Sequence, residues 1–400
     1  MEAADLMTAA AAADLLGVRR QTLYAYVSRG VLTRVHGTDA RGHRVSLFDR
    51  REVTALSDRH RRHRVGTFEL QIDTAVTYLD PAGRLLYRGR DACDLAVTST
   101  YEQVTEMLWG TEHLGPWSPT DTGRSVWDRQ DRVCPPDSAP ASRLRVALAL
   151  LAAEPEVAGA ARAEPDPDAV RDLARTAIVT AAGSLGAAPR EWPGSVAAAA
   201  AGALTRSGEV TTEVERMVDA ALVLLADHEL ATSTIAARAT ASTHADPVVT
   251  LLTGAAAMGG PLHGRAGEAS AALLADVLEQ GAGPVVSRWQ DDPPPGFGHS
   301  VYTDADPRAE CLLDLLREQH PRLVEAVDDL CLQVRRVHGL APNVDLAMAT
   351  LAHALDLRSG SAEALFVLAR LAGMTAHALE EREHRLRFRP RAIYTGEAPD

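Results

Sequence analysis

Three short stretches of this chain carry side chains that could do chemistry. The first, Pro295 to Arg308, reads PGFGHSVYTDADPR. Pro293, Pro294 and Pro295 stop an ordinary helix from running through its start. Gly296 and Gly298 bracket Phe297, so the backbone there can turn left-handed and approach a ligand closely. His299 comes next, then a tyrosine, and Arg308 stands nine residues after His299. Such a loop can hold an imidazole beside a bound anion while the guanidinium forks onto a carboxylate. The second stretch, GGPLHGRAGEA at Gly259 to Ala269, sets His263 among Gly260, Pro261 and Gly264, which break regular structure around it. The third, PNVD at Pro342 to Asp345, offers Asn343 as a helix cap and Asp345 in the first turn, where the dipole favours an ionised carboxylate. Read alone, Asp345 suits a structural cap better than a base, and Arg370 suits a surface position on a long helix.

The elements that must position these groups are helical. Thr212 to Asp227 is the clearest helix, with Thr212 and Glu215 as its capping box and Val214, Met217, Val218, Ala221, Leu222 and Leu225 as one apolar stripe. His228 stands at its end. Ser361 to Leu386 reads as another long helix, with Leu365, Leu368, Ala369 and Ala372 buried. Thr100 to Trp109 is helical, and a small hairpin turns at Pro81-Ala82-Gly83. Leu114 to Ala141, rich in proline, aspartate and serine, reads as a surface connection, and Ala163 to Asp168 as an acidic break. The expected fold class is all-α.

Composition agrees. The 400 residues are rich in alanine and leucine and poor in aromatics. Lysine is absent, so all 41 basic side chains are arginines, and any anion site must use arginine, histidine or backbone amides. Cys93, Cys134, Cys311 and Cys331 show neither metal-ligand nor paired spacing, which suits a reduced cytoplasmic protein without a metal. No apolar run is read as membrane-spanning, and the alanine-rich start lacks a positively charged leader region. The net charge of −13 hides a division: Met1 to Arg64 holds 12 arginines against 7 acidic residues, or +5, whereas the other 336 residues hold 29 against 47, or −18.

Within that basic head, Thr8 caps a helix through Leu16, Gly17-Val18 turns, and Arg19 to Arg29 forms a second helix ended by Gly30. Leu15, Leu16, Val18, Leu23 and Val27 would make a miniature core, and Arg41 to Val53 a basic hairpin with an Asp-capped helix. LLGVRRQTLYAYVSRGVL resembles the helix-turn-helix of MerR-type and excisionase-type domains. That resemblance implies DNA contact through Arg19, Arg20, Gln21, Tyr24, Arg41 and Arg44; a docking module is the other reading.

Together the three chemical stretches resemble the citrate synthase family, over roughly Phe68 to Gly396. LLYRGRDACDLA (Leu85 to Ala96), DHELATSTIAAR (Asp227 to Arg238) and FRPRAIYTG (Phe388 to Gly396) extend the match in register. The resemblance implies that acetyl-CoA condenses with oxaloacetate and that citryl-CoA is then hydrolysed to citrate and CoA. It implies Asp345 as the base, His263 on the thioester carbonyl and His299 on the ketone. His228, Arg308 and Arg370 would bind oxaloacetate, as would Arg389 from the neighbouring subunit of a homodimer. Gly296, Phe297 and Gly298 would meet the CoA adenine. No cofactor is implied, acetyl-CoA being a co-substrate, and no metal.

The domains expected are a head at 1–64, a large helical domain at 65–263, a small one at 264–349 and a C-terminal return at 350–400. Where the family commonly has HGGANEA, this chain has Arg265 and Gly267; where arginine and lysine are common after the second histidine, it has Ser300 and Thr303. These departures bear on CoA affinity and acyl-chain choice. The alternatives are therefore 2-methylcitrate synthase acting on propionyl-CoA, and a DNA-binding, metabolite-sensing regulator with a non-catalytic body.

Overall fold

Apolar residues spaced three and four apart, closed off by capping side chains, decide where this chain turns helical. The structure, a computed structural model, describes residues 6–16, 23, 27, 32–38, 44–54, 71–80, 83–112, 115–135, 137–159, 166–186, 191–261, 263–289, 292–302, 304–384 and 388. The chain divides into two units, Met1–Asp73 and Thr74–Asp400.

In the first unit, β1 (Leu6–Thr8) runs into α1 (Ala9–Leu16), and Thr8 accepts the Ala11 amide at 3.3 Å. β2 (Arg34–Thr38) and β3 (Arg44–Asp49) pair antiparallel in a sheet of order β1-β3-β2, so the hairpin starts earlier than expected. Asp49 caps the turn of helix after it by accepting the Arg51 amide at 2.7 Å. Met7, Ala12, Ala13, Leu23, Leu32, Phe48 and Val53 form the core, with Ala9, Leu16 and Val27 packed against it. Leu15, expected inside, is exposed. The buried stripe of α1 runs through Ala9, Ala12, Ala13 and Leu16, which turns Leu15 outward. The turn at Gly17-Val18 and most of the expected helix over Arg19 to Arg29 lie outside the described residues.

In the second unit, β4 (Thr77–Asp80) and β5 (Arg84–Tyr87) form the expected hairpin, joined by β6 (Arg90–Asp91). The rest is helical: α2 (Ala92–Thr98), α3 (Tyr101–Leu108), α4 (Asp121–Val133), α5 (Pro140–Ala152), α6 (Pro167–Gly183), α7 (Val196–Leu204) and α8 (Thr212–Leu225). There follow α9 (Thr232–Ala241), α10 (Pro247–Ala257), α11 (Ala266–Gln280), α12 (Pro307–Gln319), α13 (Pro321–His338), α14 (Val344–Ala354) and α15 (Ser361–His384). Two readings need correction. The supposed surface connection contains α4, which Thr120 caps and which buries Val126, Trp127 and Gln130. Its charge-rich composition hid that stripe. The cap of α8 is Thr211, which accepts the Val214 amide at 3.2 Å, not Thr212; Glu215 instead accepts from the Ser195 hydroxyl at 2.6 Å.

The longest helix, α15, is the hub, packing against α3, α5, α6, α8, α9, α10, α11 and α14. Contrary to expectation, it is long and apolar enough to cross a bilayer by length and composition, but 83% of its apolar window is buried inside the protein. It is a core helix. Tyr101 Oη and Trp109 Nε1 donate to its carbonyls at Ala369 (3.0 Å) and Ala372 (2.9 Å). At Gly373 the backbone touches the end of α8 so closely that a Cβ would lie 2.1 Å from Asp227 Oδ1 and 2.6 Å from the Ala226 carbonyl oxygen. Gly373→Ala should therefore cost about 1–3 kcal/mol through overpacking. Thermal melting would show it as a lowered Tm; an unchanged Tm would mean the two helices part without cost.

Candidate active site

The loop before α12 and the start of α14 are zipped together by main-chain hydrogen bonds. Gly298 N donates to the Ala341 carbonyl and Asn343 N to that of Gly296, each at 2.9 Å. The Asn343 side-chain amide donates to the Gly298 carbonyl, also at 2.9 Å, while its oxygen caps α14 through the Asp345 amide at 3.0 Å. Both glycines make this possible by taking left-handed φ of 86° and 76°. The zip brings two of the three chemical stretches to one place.

There a cavity of about 490 Å³ opens, lined by His228, His263, His299, Arg308, Asp345 and Arg370 among others. All six side chains singled out from the sequence as acid-base or anion-binding groups, and described in the structure, therefore converge on it. Gly298 lines it too, whereas Gly296 and Phe297 do not, and Phe297 is packed into the hydrophobic core. Arg389 lies outside the described residues, as do Thr303, Arg19, Arg20, Gln21, Tyr24 and Arg41; Arg44 is placed only as part of the β3 backbone.

The three imidazoles are held neutral. His299 Nδ1 faces the amides of Val301 and Tyr302 at 3.0 and 3.3 Å, so it accepts, and the ring proton sits on Nε2, which lies 3.5 Å from Arg308 Nη2. Burial first, and then Arg308, lower its pKa. His228 follows α8 and meets the Tyr302 hydroxyl at 3.1 Å; burial, Arg308 and Arg370 hold its pKa well below the usual imidazole range. His263 Nε2 meets Ser233 Oγ at 2.9 Å, and burial, aided by Arg370, lowers its pKa to about 4.

The two arginines differ. Arg308 is clamped by Asp306, with Nε to Oδ1 at 2.9 Å and Nη2 to Oδ2 at 2.8 Å. Arg370 was read alone as a surface residue, yet it is 1% exposed. Its Nε donates to the Leu225 carbonyl at 2.9 Å, and its buried Nη2 has no partner among the described residues. Burial lowers its pKa. Such a group is ready to receive an anion. At Asp345 burial, helped by Asp306, outweighs Arg308, and the pKa rises to about 6. The expectation of a carboxylate favoured by the dipole therefore gives way to one poised near neutrality.

Sequence reasoning missed Tyr302, Asp306, Ser233 and Phe366 as parts of the site. Phe366 lines the cavity, edge-on to His263 with ring centroids 6.1 Å apart and 4.9 Å from the Arg370 guanidinium carbon. Its place one turn before Arg370 was the only available signal. Of the unusual residues, Ser300 lines the cavity, while Arg265 pairs with Glu268 at 3.2 Å.

The family model described as "Citrate synthase, C-terminal domain" matches residues 69–391. The citrate synthase of Haloferax volcanii is 31% identical over 365 residues, covering 82% of this chain and 94% of that protein. That of Mycolicibacterium smegmatis is 27% identical over 373 residues, covering 86% and 98%. Among solved structures, citrate synthase from Thermotoga maritima superposes with a TM-score of 0.67 at 25% identity, covering 84% of this chain and 97% of that one. A ternary complex of carboxymethyl coenzyme A and oxaloacetate with the Thermoplasma acidophilum enzyme shares the fold, with a TM-score of 0.67 at 24% identity over 83% and 96% of the two chains.

The site's electrostatics can be tested without turnover. Carbon-13 NMR of the Asp345 carboxyl should titrate with a midpoint of about 6. Because Arg308 pulls that value down, Arg308→Ala should move it up. A midpoint in the ordinary carboxylate range would mean that Asp345 is well solvated.

Proposed function

The chain belongs to the citrate synthase family, and we propose that it condenses acetyl-CoA with oxaloacetate and hydrolyses the citryl-CoA formed to citrate and CoA. The observation that carries this reading is the meeting of a poised carboxylate, three neutral imidazoles and two buried guanidinium groups in one cavity. An acetyl thioester is a very weak carbon acid, so the site must supply a base and stabilise the enolate oxygen together.

Asp345, half-buried and with its pKa raised to about 6, takes the methyl proton. If His263 Nε2 accepts the Ser233 hydroxyl proton, Nδ1–H is left to donate to the thioester carbonyl. His299 offers Nε2–H to the oxaloacetate ketone, whose carbon forms the new bond to the enolate. The alkoxide that develops takes up the proton that Asp345 removed, which restores the carboxylate, and water then splits the thioester, its hydroxyl going to the acyl carbon and its hydrogen to the CoA sulfur. Arg308, Arg370 and His228 bind the oxaloacetate carboxylates. The reaction needs no cofactor beyond acetyl-CoA as co-substrate, and we place it in the cytoplasm.

Residues 264–349 are read as the small domain that closes over substrate and excludes water. An intact set of His263, His299 and Asp345 favours an enzyme over a non-catalytic sensor. Steady-state rates with acetyl-CoA and propionyl-CoA separate citrate from 2-methylcitrate synthesis. We read the basic head as a DNA-contacting helix-turn-helix, supported by its charge of +5 and its β2–β3 hairpin. A homodimer would present two heads to an inverted repeat. Selection from random duplexes that enriches no sequence even at low salt would make it a docking module.

Asp345→Asn should keep oxaloacetate binding while condensation falls by about a hundredfold or more. In the unmodified protein the rate should rise with pH through about 6, because only the ionised carboxylate takes a proton. Retained activity in the variant would leave Asp345 as a cap alone. Arg389 is assigned to the neighbouring subunit's cavity, so mixing inactive Asp345→Asn and Arg389→Ala protomers should restore turnover once subunits exchange. No recovery despite verified exchange would count against a shared site.

A further inference from the structure

One carboxylate outside the cavity's lining touches two parts of the site at once. Asp306 is 2% exposed and stands between the catalytic loop and α12. Its Oδ1 accepts Arg308 Nε at 2.9 Å and the Arg308 amide at 3.1 Å. Its Oδ2 accepts Arg308 Nη2 at 2.8 Å and the Val344 amide at 3.0 Å. Four donors fill the acceptor capacity of a carboxylate. Val344 opens α14 and immediately precedes Asp345, so Asp306, itself the N-cap of α12, also satisfies the first amide of the helix that carries the base and orients the Arg308 guanidinium.

We propose that Asp306 is a positioning residue of the condensation, holding the substrate-binding Arg308 and the helix start of Asp345 in one rigid frame. This rests on the condensation proposed above. The geometry explains why two separate stretches share a single acid: a guanidinium and a helix N-terminus both need an anion, and one anion between them fixes their separation. Nε and Nη2 of Arg308 are held by Asp306, and Nη2 also lies 3.5 Å from His299 Nε2, so the rotation of the guanidinium about its side-chain axis is restrained. The frame also sets charge. The charged or titratable groups lining the cavity around Asp345 are His228, Glu229, His263, His299, Arg308 and Arg370. Among the groups acting on Asp345, Arg308 lowers its proton affinity and Asp306 raises it. Removing the Asp306 charge should therefore make Asp345 a stronger acid.

The test is Asp306→Asn beside Asp306→Ser, the serine keeping an N-cap while discarding the charge. Each would be assayed in the full-length protein for the KM of both substrates, the pH dependence of kcat and the melting temperature. Expected is a rise in oxaloacetate KM of roughly 30-fold or more, the scale for losing one partner of a buried ion pair. The KM for acetyl-CoA should hardly change, and the acid limb of kcat should move to lower pH. A purely structural role would lower the amplitude and leave that limb in place. Folded variants with unchanged oxaloacetate KM and an unmoved limb would overturn the proposal, as would a serine variant that cannot fold. If the unmodified enzyme performs no condensation, the reading of its function fails instead. Calorimetric titration of oxaloacetate into the same variants would then still decide the role of Asp306, by weakened or unaltered binding.

Discussion

Two guanidinium groups, Arg308 and Arg370, are almost completely buried beside one cavity, and much of the surrounding structure makes that tolerable. A buried cation without a partner is expensive, so each must be compensated. Arg308 has a full carboxylate, and its charge is thereby locked on while the pKa of Asp306 is held low. Arg370 has only a carbonyl within reach of Nε, and the carboxylate of Asp227 acts on it through space. Its Nη2 has no acceptor among the described residues. The cavity thus offers a place for negative charge, which the dicarboxylate of the proposed reaction would supply.

Burial first, and the same positive field second, decide the state of the imidazoles. A protonated histidine would place charge where it is poorly solvated, and Arg308 and Arg370 lower His228 further, Arg370 His263 and Arg308 His299. They are donors or acceptors of hydrogen bonds, not cations. Asp345 feels the opposite balance: Arg308 favours its ionised form, but burial costs more. One cavity thus pushes the proton affinity of its carboxylate up and that of its imidazoles down.

How much of this was legible follows from what each signal depends on. Loop breakers, caps and helix ends are local, so the Pro295–Gly298 turn and the Asn343 cap could be read directly. That Gly298 and Ala341 would share a hydrogen bond is a long-range fact that spacing does not encode. Asp306 looked like one more acidic residue in TDADPR; only the position of Val344 across the loop makes it a shared clamp. Helix α4 was missed because charged residues surround its few buried ones, and its apolar signal is weak. Arg370, which the family resemblance made an anion ligand, suited a surface position when read alone, for a related cause. Its neighbours on α15 mark a buried face, but a sequence does not say that the cavity lies on the far side of that face.

Helix α15 shows why composition alone misleads about such an element. Phe366, Arg370, Gly373 and His377 follow one another at four-, three- and four-residue steps, so they share a face. Phe366 and Arg370 line the cavity, and Gly373 lets the end of α8 approach. One turn on, His377 Nε2 meets Asp227 Oδ2 at 3.2 Å, and its Nδ1 meets the fully buried Arg238 at 2.7 Å. Arg238 is bound in turn by Glu380 at 3.0 Å and Glu381 at 2.9 Å. Glu380 also accepts the Thr74 hydroxyl at 2.9 Å and the Ala75 amide at 2.7 Å, where the second unit begins. Arg370, Asp227, His377, Arg238 and Glu380 thus line up charged and polar groups along one side of the core. A bilayer would leave that chain unsatisfied, whereas the folded body satisfies it while aiming Arg370 at the cavity. The apolar surface of α15 holds the body together, and its one polar face fixes the direction of the chemistry.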